Sequence, residues 1–304
     1  MTTTIPGAVP GSVTEAPADG HAPHAPLSLA PVPEGGGGGL GELLRDTLVY
    51  AGRNVQHIRQ IPEKLLDVTL QPLMFVLLFA FVFGGAIAIE GGGATYREYL
   101  IAGILIQSLA FGMTGPATAI ANDLLEGVID RFRSLPASKA AYLLGHYVAE
   151  LGGMAVAITV LLGTGLIVGW RQHTGPVYLI AGLALLLAFA SAMIWIGTWI
   201  GLTVRSPDAV MGVGFIVVFP LTFISNAFVP IESMPPVLQW LAAWNPISTM
   251  VAAVRELFGN PTAPLTQPTW PLENPVLASV IYCTVLLAIF VPLTLRRYKV
   301  RTSD

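Results

Sequence analysis

Six long apolar runs divide this 304-residue chain, and each is long enough to cross a lipid bilayer. A transmembrane helix needs about 20 consecutive apolar residues, and a charge at the centre of a span costs about 3 kcal/mol. Because backbone polar groups within hydrocarbon must be hydrogen-bonded internally, the runs predict an all-α membrane protein with six transmembrane helices. The runs cover approximately 68–89, 99–121, 147–170, 177–201, 209–230 and 276–295, and the one charged residue within them is Glu150.

The composition excludes an ordinary soluble domain, because only 11% of the residues are charged and 54% are hydrophobic, against about 25% charged in soluble proteins. The single cysteine, Cys283, lies within the last apolar run, where we expect a packing role. His21 and His24 have no third ligand nearby in the sequence. We therefore expect neither a catalytic site nor a metal site.

The chain before the first run has two parts. Residues 1–40 are rich in Pro, Gly, Ala, Thr and Ser and contain no Lys or Arg, a composition that predicts a disordered tail. Residues 41–67 have apolar side chains at helical spacing with arginines outside that stripe. This pattern favours an amphipathic helix along the membrane interface over an ordinary solvated helix. The stripe consists of Leu44, Leu48, Ala51, Val55 and Ile58.

The segment 231–275 raises a question of topology, because its stretch 233–254 is uncharged but contains Pro235-Pro236 and Asn245-Pro246. It either forms short re-entrant or surface-lying helices or crosses as a seventh span. With six spans and a cytoplasmic N-terminus, the 15 Lys and Arg residues divide into 12 inside and 3 outside. A seventh span would move the basic C-terminal tail outside, against the positive-inside rule. We therefore predict that both termini are cytoplasmic and that 231–275 is external.

A polar stretch, 122–141 (NDLLEGVIDRFRSLPASKAA), separates the second run from the third. Its acidic residues recur at spacings of three and four, which predicts a short helix with one acidic face over about 122–136. Such a helix suits docking to a soluble partner, whereas an ordinary loop held to lipid headgroups by its basic residues has the same composition. The acidic residues are Asp123, Glu126 and Asp130, followed by Arg131, Phe132 and Arg133.

The chain shows no energy source of its own. None of its three lysines follows a glycine, so the phosphate-binding sequence GxxxxGK[ST] is absent. An ion-coupled secondary transporter would need charged relays within the spans, and Glu150 lies near enough to a span end to reach water. A membrane scaffold without transport activity is a third alternative.

Four segments resemble the type-2 ABC exporter permease family, in its daunorubicin-resistance (DrrB-like) branch. They are LLDVTLQPLMFVLLFAFVFGGAI at 65–87, EYLIAGILIQSLAF at 98–111, NDLLEGVIDRFRSLPASKAAYLLGH at 122–146 and NAFVPIESMPPVLQWLAAWNPIS at 226–248. The resemblance covers about 41–300. It implies a permease domain over 68–300 in the plasma membrane, which exports a hydrophobic or amphipathic drug, antibiotic or lipid-like compound.

The resemblance also implies partners. A separate ATPase subunit of the DrrA type would hold ATP and Mg²⁺, with two permeases joined to two ATPases, and neither a cofactor in this chain nor a nucleic-acid partner is expected. The loop 122–136 would be the coupling helix, with Asp123, Glu126, Asp130, Arg131, Phe132 and Arg133 at the ATPase. The substrate cavity would form between two permease copies. Its candidate residues are Gln107, Phe111, Phe215, Phe219, Phe223 and Asn226.

Overall fold

A computed structural model describes residue 70 and the ranges 73–83, 93–127, 139–204, 206–262 and 269–301. Within these ranges the chain forms helices and turns and no β-strand, so the all-α prediction is confirmed for the part described. The predicted tail at 1–40 and the predicted interface helix at 41–67 lie outside the described residues.

The described residues form ten helices, which we number in chain order. Helix α1 covers 73–83, and its last part, Leu78–Phe83, is a π-helix. A short 3₁₀ turn, Ile231–Ser233, lies between α6 and α7. The remaining helices are α2 (Gly93–Phe111), α3 (Thr114–Leu125), α4 (Lys139–Val168), α5 (Pro176–Thr203), α6 (Pro207–Phe223), α7 (Pro236–Ala243), α8 (Pro246–Phe258), α9 (Trp270–Glu273) and α10 (Pro275–Arg301).

Four of the described helical segments are long and apolar enough to cross a membrane: α2 with α3, α4, α5 and α10. The pair α7 and α8 is bent by 68° and would be a fifth only if it counts as one span. Helix α6 has 17 residues, which gives a length of about 26 Å, slightly less than the roughly 30 Å of hydrocarbon. The predicted number of six spans stays a prediction, since the first run, 68–89, is described only in part.

Helix α5 lies at the centre of the packing and contacts α2, α3, α4, α8 and α10. Two of its glycines allow α3 to approach closely. A Cβ atom at Gly197 would meet the carbonyl of Met113, and one at Gly201 would meet the carbonyl of Ala117. Small residues at this four-residue spacing are typical of close helix contacts within membranes.

The helices run between two ends of the bundle. Because Gly197 and Gly201 pair with Met113 and Ala117 in the same order, α5 runs parallel to α3. Helix α6 runs the opposite way, since its Phe215 contacts Phe111 at the end of α2, whereas Asn226, after the end of α6, accepts a hydrogen bond from Tyr99 earlier in α2. Helix α10 ends beside the start of α4, where Tyr298 stacks on Tyr142. We name the two ends after Asp123, at the end of α3, and Arg255, on α8.

The segment between α6 and α10 begins and ends at the Arg255 end. Ile231, before α7, lines the same cavity as Asn260, after α8, and Pro275, at the start of α10. A segment that leaves from and returns to one end has the geometry of a re-entrant loop. This favours the interpretation made from its proline pairs over a seventh span.

Asn245 and Pro246 explain the bend between α7 and α8. The side chain of Asn245 accepts a hydrogen bond from the amide of Ile247 at 2.8 Å and so caps α8, while Pro246 occupies the first helical position, where no amide hydrogen is needed. The Asn245 amide group also donates to the carbonyls of Leu221 and Ile224, at 2.6 Å each. The same side chain therefore starts α8 and ties it to the end of α6.

Candidate functional site

Two of the predicted coupling residues lie at the end of α3. Asp123 is half-buried and Glu126 is exposed, with Leu125 beside them 65% exposed. The helix ends at Leu125, and Gly127 has a φ of 64°, the left-handed conformation with which glycine terminates helices. The predicted helix over about 122–136 is helical up to Leu125 and interrupted by a turn at Gly127, and its remainder stays a prediction. Asp123 belongs to α3 itself and Glu126 follows its last residue, while 128–136, with Asp130, Arg131, Phe132 and Arg133, lies outside the described residues.

A tyrosine joins the two sides of this loop. The hydroxyl of Tyr142, near the start of α4, donates a hydrogen bond to the Asp123 carboxylate at the end of α3. The Tyr142 ring stacks on Tyr298 of α10, with ring centroids 6.1 Å apart. Both rings are buried in a cluster with Ile120 and Leu202. The loop that follows Asp123 is thus fixed at both ends to α3, α4 and α10 together.

The predicted cavity residues divide into two groups. Gln107 on α2 and Asn226 after α6 are buried. Phe215, Phe219 and Phe223 on α6 are 49%, 46% and 39% exposed. In the single chain these phenylalanines form an outward face of α6 and do not share an enclosed space with Gln107.

Aromatic rings follow one another along this face. Phe219 stacks on Phe223 at 4.3 Å between centroids, Phe223 contacts Phe228 at 5.3 Å, and Phe228 stacks on Phe79 at 4.7 Å. Phe75 continues the row on α1 at 6.0 Å from Phe79. Sequence reasoning missed Phe75, Phe79 and Phe228, because nothing in the sequence indicates that α1 packs beside the end of α6.

Phe111 and Phe215 meet separately from that row. Their ring centroids lie 5.4 Å apart, and this contact joins α2 to α6. The sequence prediction grouped the two residues as cavity candidates. The structure places them together, and their role in binding a substrate stays a prediction.

Among the described residues classed as buried, Arg255 is the one that carries a permanent charge, and only 1% of its surface is exposed. Its Nε donates to the carbonyl of Tyr99 at 3.0 Å, and its Nη2 donates to the carbonyls of Asn226 and Ala227 at 2.9 and 3.2 Å. The guanidinium carbon lies 3.3 Å from the centroid of the Tyr99 ring. No described carboxylate is within ion-pair distance of this guanidinium.

The sequence counts Arg255 among the three basic residues outside, on the segment 231–275, but does not predict that it is buried. The structure places Arg255 inside α8, where it joins α8 to α2 and to the chain after α6. A signal was available, since a single arginine follows the apolar residues of 246–254 at helical spacing. A charge that interrupts an apolar helix marks a buried contact or a functional position.

A cavity of about 400 Å³ lies beside Arg255. Its wall includes Tyr99 and Asn226 and three carboxylates, those of Glu232, Glu256 and Glu273. Two of the lining residues, Asn226 and Glu232, each have one buried oxygen, Oδ1 and Oε2, without a described hydrogen-bond partner. Among the described residues no group of three or more His, Cys, Asp or Glu side chains is placed to hold a metal ion.

The amino-acid sequence is similar to known membrane proteins over most of its length. Residues 45–258 match the family described as ABC-2 type transporter. The chain is 31% identical over 255 residues to the daunorubicin resistance ABC transporter permease protein DrrB1 of Streptomyces coeruleorubidus, covering 83% of this chain and 86% of that protein. It is 26% identical over 237 residues to the doxorubicin resistance ABC transporter permease protein DrrB of Mycobacterium tuberculosis, covering 74% and 80%. Together with the apolar helices, these matches show that the chain is a membrane protein of the ABC-2 type transporter family and resembles the permease subunits of drug-resistance transporters.

Proposed function

We propose that this chain is the membrane-spanning permease of an ATP-driven exporter that moves a hydrophobic or amphipathic compound out across the plasma membrane. The observation that carries the proposal is the extended match to drug-resistance permeases over most of both chains. The names of those relatives connect them with resistance to daunorubicin and doxorubicin. For this chain we infer a drug or antibiotic of similar amphipathic character, with a lipid-like compound as the second candidate.

The proposal needs a partner for ATP. The sequence has no GxxxxGK[ST] element, which in many ATPases holds the phosphates of the nucleotide. A separate ABC ATPase would bind ATP and Mg²⁺, and two copies would work with two permeases. In this arrangement a second permease would cover the outward face of α6 with Phe215, Phe219 and Phe223.

The Asp123 end is where we expect the ATPase to act. Glu126 and Leu125 are exposed there, while Asp123 and Tyr142 connect α3 to α4. A force on the loop would therefore move both helices, and the stack of Tyr142 on Tyr298 would carry the movement to α10. Packed side chains and hydrogen bonds of this kind are the contacts through which coupling between helices can pass.

The experiment is ATP-dependent uptake of daunorubicin into inverted vesicles that contain this chain and its partner ATPase. Reversing both charges, with Glu126→Lys and Arg131→Glu, should abolish most of the uptake while the protein remains inserted at normal abundance. The matched control is Asp208→Lys, which changes a carboxylate in the first turn of α6. Uptake that persists without ATP but follows a proton gradient would instead show an ion-coupled transporter. No uptake of any tested compound, with no association with an ATPase, would favour a scaffold.

A further inference from the structure

Helix α10 carries a stripe of exposed apolar side chains along most of its length. Its members recur every four residues, and each is between 38% and 56% exposed. Because α10 is long and apolar enough to cross a membrane, such an outward stripe lies against lipid. The stripe consists of Leu277, Ile281, Val285, Ile289 and Leu293.

Two cations follow this stripe at the end of the helix. Arg296 and Lys299 are both exposed, and their spacing of three residues places them on one helical face. The opposite face is packed, because Thr294 and Tyr298 are buried and the Thr294 hydroxyl donates to the carbonyl of Trp195 at 3.3 Å. The two cations therefore continue the outward face of α10.

The position of these cations along α10 matches the level of lipid headgroups. From Leu277 to Arg296 the helix rises by about 28 Å, close to the roughly 30 Å of bilayer hydrocarbon. Trp270, which is 48% exposed, precedes the stripe, and tryptophan is enriched at membrane–water interfaces. The stripe thus has an aromatic residue at one interface and cations at the other, where the lipid phosphates lie.

The charge at this end of α10 favours an anion. The helix contains no acidic residue, and no described carboxylate lies within ion-pair distance of Arg296. Arginine can donate two parallel hydrogen bonds to phosphate oxygens, and lysine attracts a phosphate as a point charge. Leu293 and Val300 are exposed beside the cations and offer contacts for acyl chains. A phospholipid with a net negative charge provides both partners in one molecule.

We infer that the end of α10 binds anionic phospholipids, with their phosphates at Arg296 and Lys299. Tyr298, between these residues, stacks on Tyr142, and the Tyr142 hydroxyl binds Asp123. A lipid on the outer side of this turn holds α10 in place and so stabilises the stack at the Asp123 end. The inference concerns the lipid around the protein and does not rest on the proposed function.

The test measures lipid preference beside these cations, with the full chain in nanodiscs and without an ATPase. A bimane fluorophore is attached through Val300→Cys, at a position that is 53% exposed, while Cys283 is buried. Phosphatidylglycerol or phosphatidylcholine with a nitroxide on its acyl chain quenches the bimane when the lipid lies next to it. We expect phosphatidylglycerol to reach half-maximal quenching at a mole fraction roughly threefold lower or less, with a smaller preference at high salt.

In the labelled protein, Arg296→Gln with Lys299→Gln should bring the two lipids to equal quenching, because both charges are removed. Arg296→Lys with Lys299→Arg should retain the preference, since both charges remain. Arg171→Gln is the matched control, because Arg171 is an exposed arginine at the Arg255 end, and it should leave the preference unchanged.

The thermal unfolding midpoint gives a second measurement without a label. Replacing phosphatidylcholine by phosphatidylglycerol should raise the midpoint of the unmodified chain and leave that of the double glutamine variant unchanged. Equal quenching by both lipids, or an unchanged preference in the double glutamine variant, would overturn the inference. Absence of any lipid preference, together with loss of ATPase co-purification in that variant, would instead assign these cations to the ATPase.

Discussion

Arg255 shows how a charge is held within an apolar helix. Burying an unpaired cation is costly unless hydrogen bonds replace water. Here two of its nitrogens donate to three backbone carbonyls. A guanidinium suits this task better than an ammonium, because its donors form a planar fork and its charge is delocalised. The residue joins α8 to α2 and to the end of α6, so we expect it to stabilise the re-entrant segment.

The variant Arg255→Lys should lower the free energy of unfolding by roughly 2–4 kcal/mol, because a lysine cannot reach all three carbonyls with the same geometry. The measurement is the thermal unfolding midpoint of the purified chain in detergent. Arg171→Lys is the control, because Arg171 is exposed and donates to the carbonyls of Leu166 and Trp170 at the end of α4. Equal midpoints for the two variants would contradict the structural role of Arg255.

At the level of helices, the contact between α3 and α5 depends on the absence of side chains. Gly197 and Gly201 bring α5 against the carbonyls of Met113 and Ala117. Between apolar helices in a membrane, close packing and van der Waals contact replace the hydrophobic effect as the main attraction. The two glycines therefore set the distance between the central helix and the helix that ends at Asp123.

Gly197→Ala should destabilise the chain by roughly 1–3 kcal/mol, because the added Cβ would meet the backbone of α3. Gly163→Ala on α4 is the matched control, since nothing lies within 4 Å of a Cβ there. Alanine at that position should leave stability unchanged or raise it by up to about 1 kcal/mol. The fraction of monodisperse protein after heating, read by size-exclusion chromatography, distinguishes the two. Similar losses in both variants would mean that the α3–α5 contact is not the cause.

The contact of Tyr142 with Asp123 makes a second prediction at this level. Tyr142→Phe keeps the ring that stacks on Tyr298 and removes the hydroxyl that binds Asp123. We expect a stability loss of about 1 kcal/mol and a several-fold loss of ATP-dependent daunorubicin uptake in inverted vesicles. Tyr178→Phe, at an exposed position on α5, should retain full uptake. Normal uptake by the Tyr142 variant would show that coupling does not pass through this hydrogen bond.

At the scale of the whole molecule, the two ends differ in chemistry. The Asp123 end has exposed Glu126 and a loop fixed to α3 and α4, while the Arg255 end has a buried cation and an acidic cavity. The α7–α8 segment leaves from and returns to the Arg255 end. If it is re-entrant, the C-terminus lies on the same side of the membrane as the Asp123 loop.

A reporter fused after Asp304 should therefore be cytoplasmic, as the distribution of Lys and Arg predicts. Alkaline phosphatase, which is active only outside the cytoplasm, should be inactive there. The same enzyme inserted after Thr262, at the Arg255 end, should be active. An active fusion after Asp304 would mean that 233–254 crosses the membrane.

Some features could be read from the sequence because they depend on solvation alone. Long uncharged runs must lie in hydrocarbon, and Asn245-Pro246 must break a helix wherever it lies. For the same reason the sequence placed Asp123 and Glu126 next to water. The turn at Gly127 within the helix predicted over about 122–136 could not be read in this way, because helical spacing does not show that Gly127 adopts the left-handed conformation that follows α3.

The sequence by itself determined the membrane class, the helical content and the break at Asn245. The tertiary structure alone decided that Arg255 is buried, that Tyr142 reaches Asp123, and that Phe79 packs on Phe228. Each of these contacts joins residues whose spacing carries no periodic signal, because they depend on how separate helices pack. Hydropathy predicts whether a residue lies in lipid or in water, whereas the packing of the helices decides which residues it contacts.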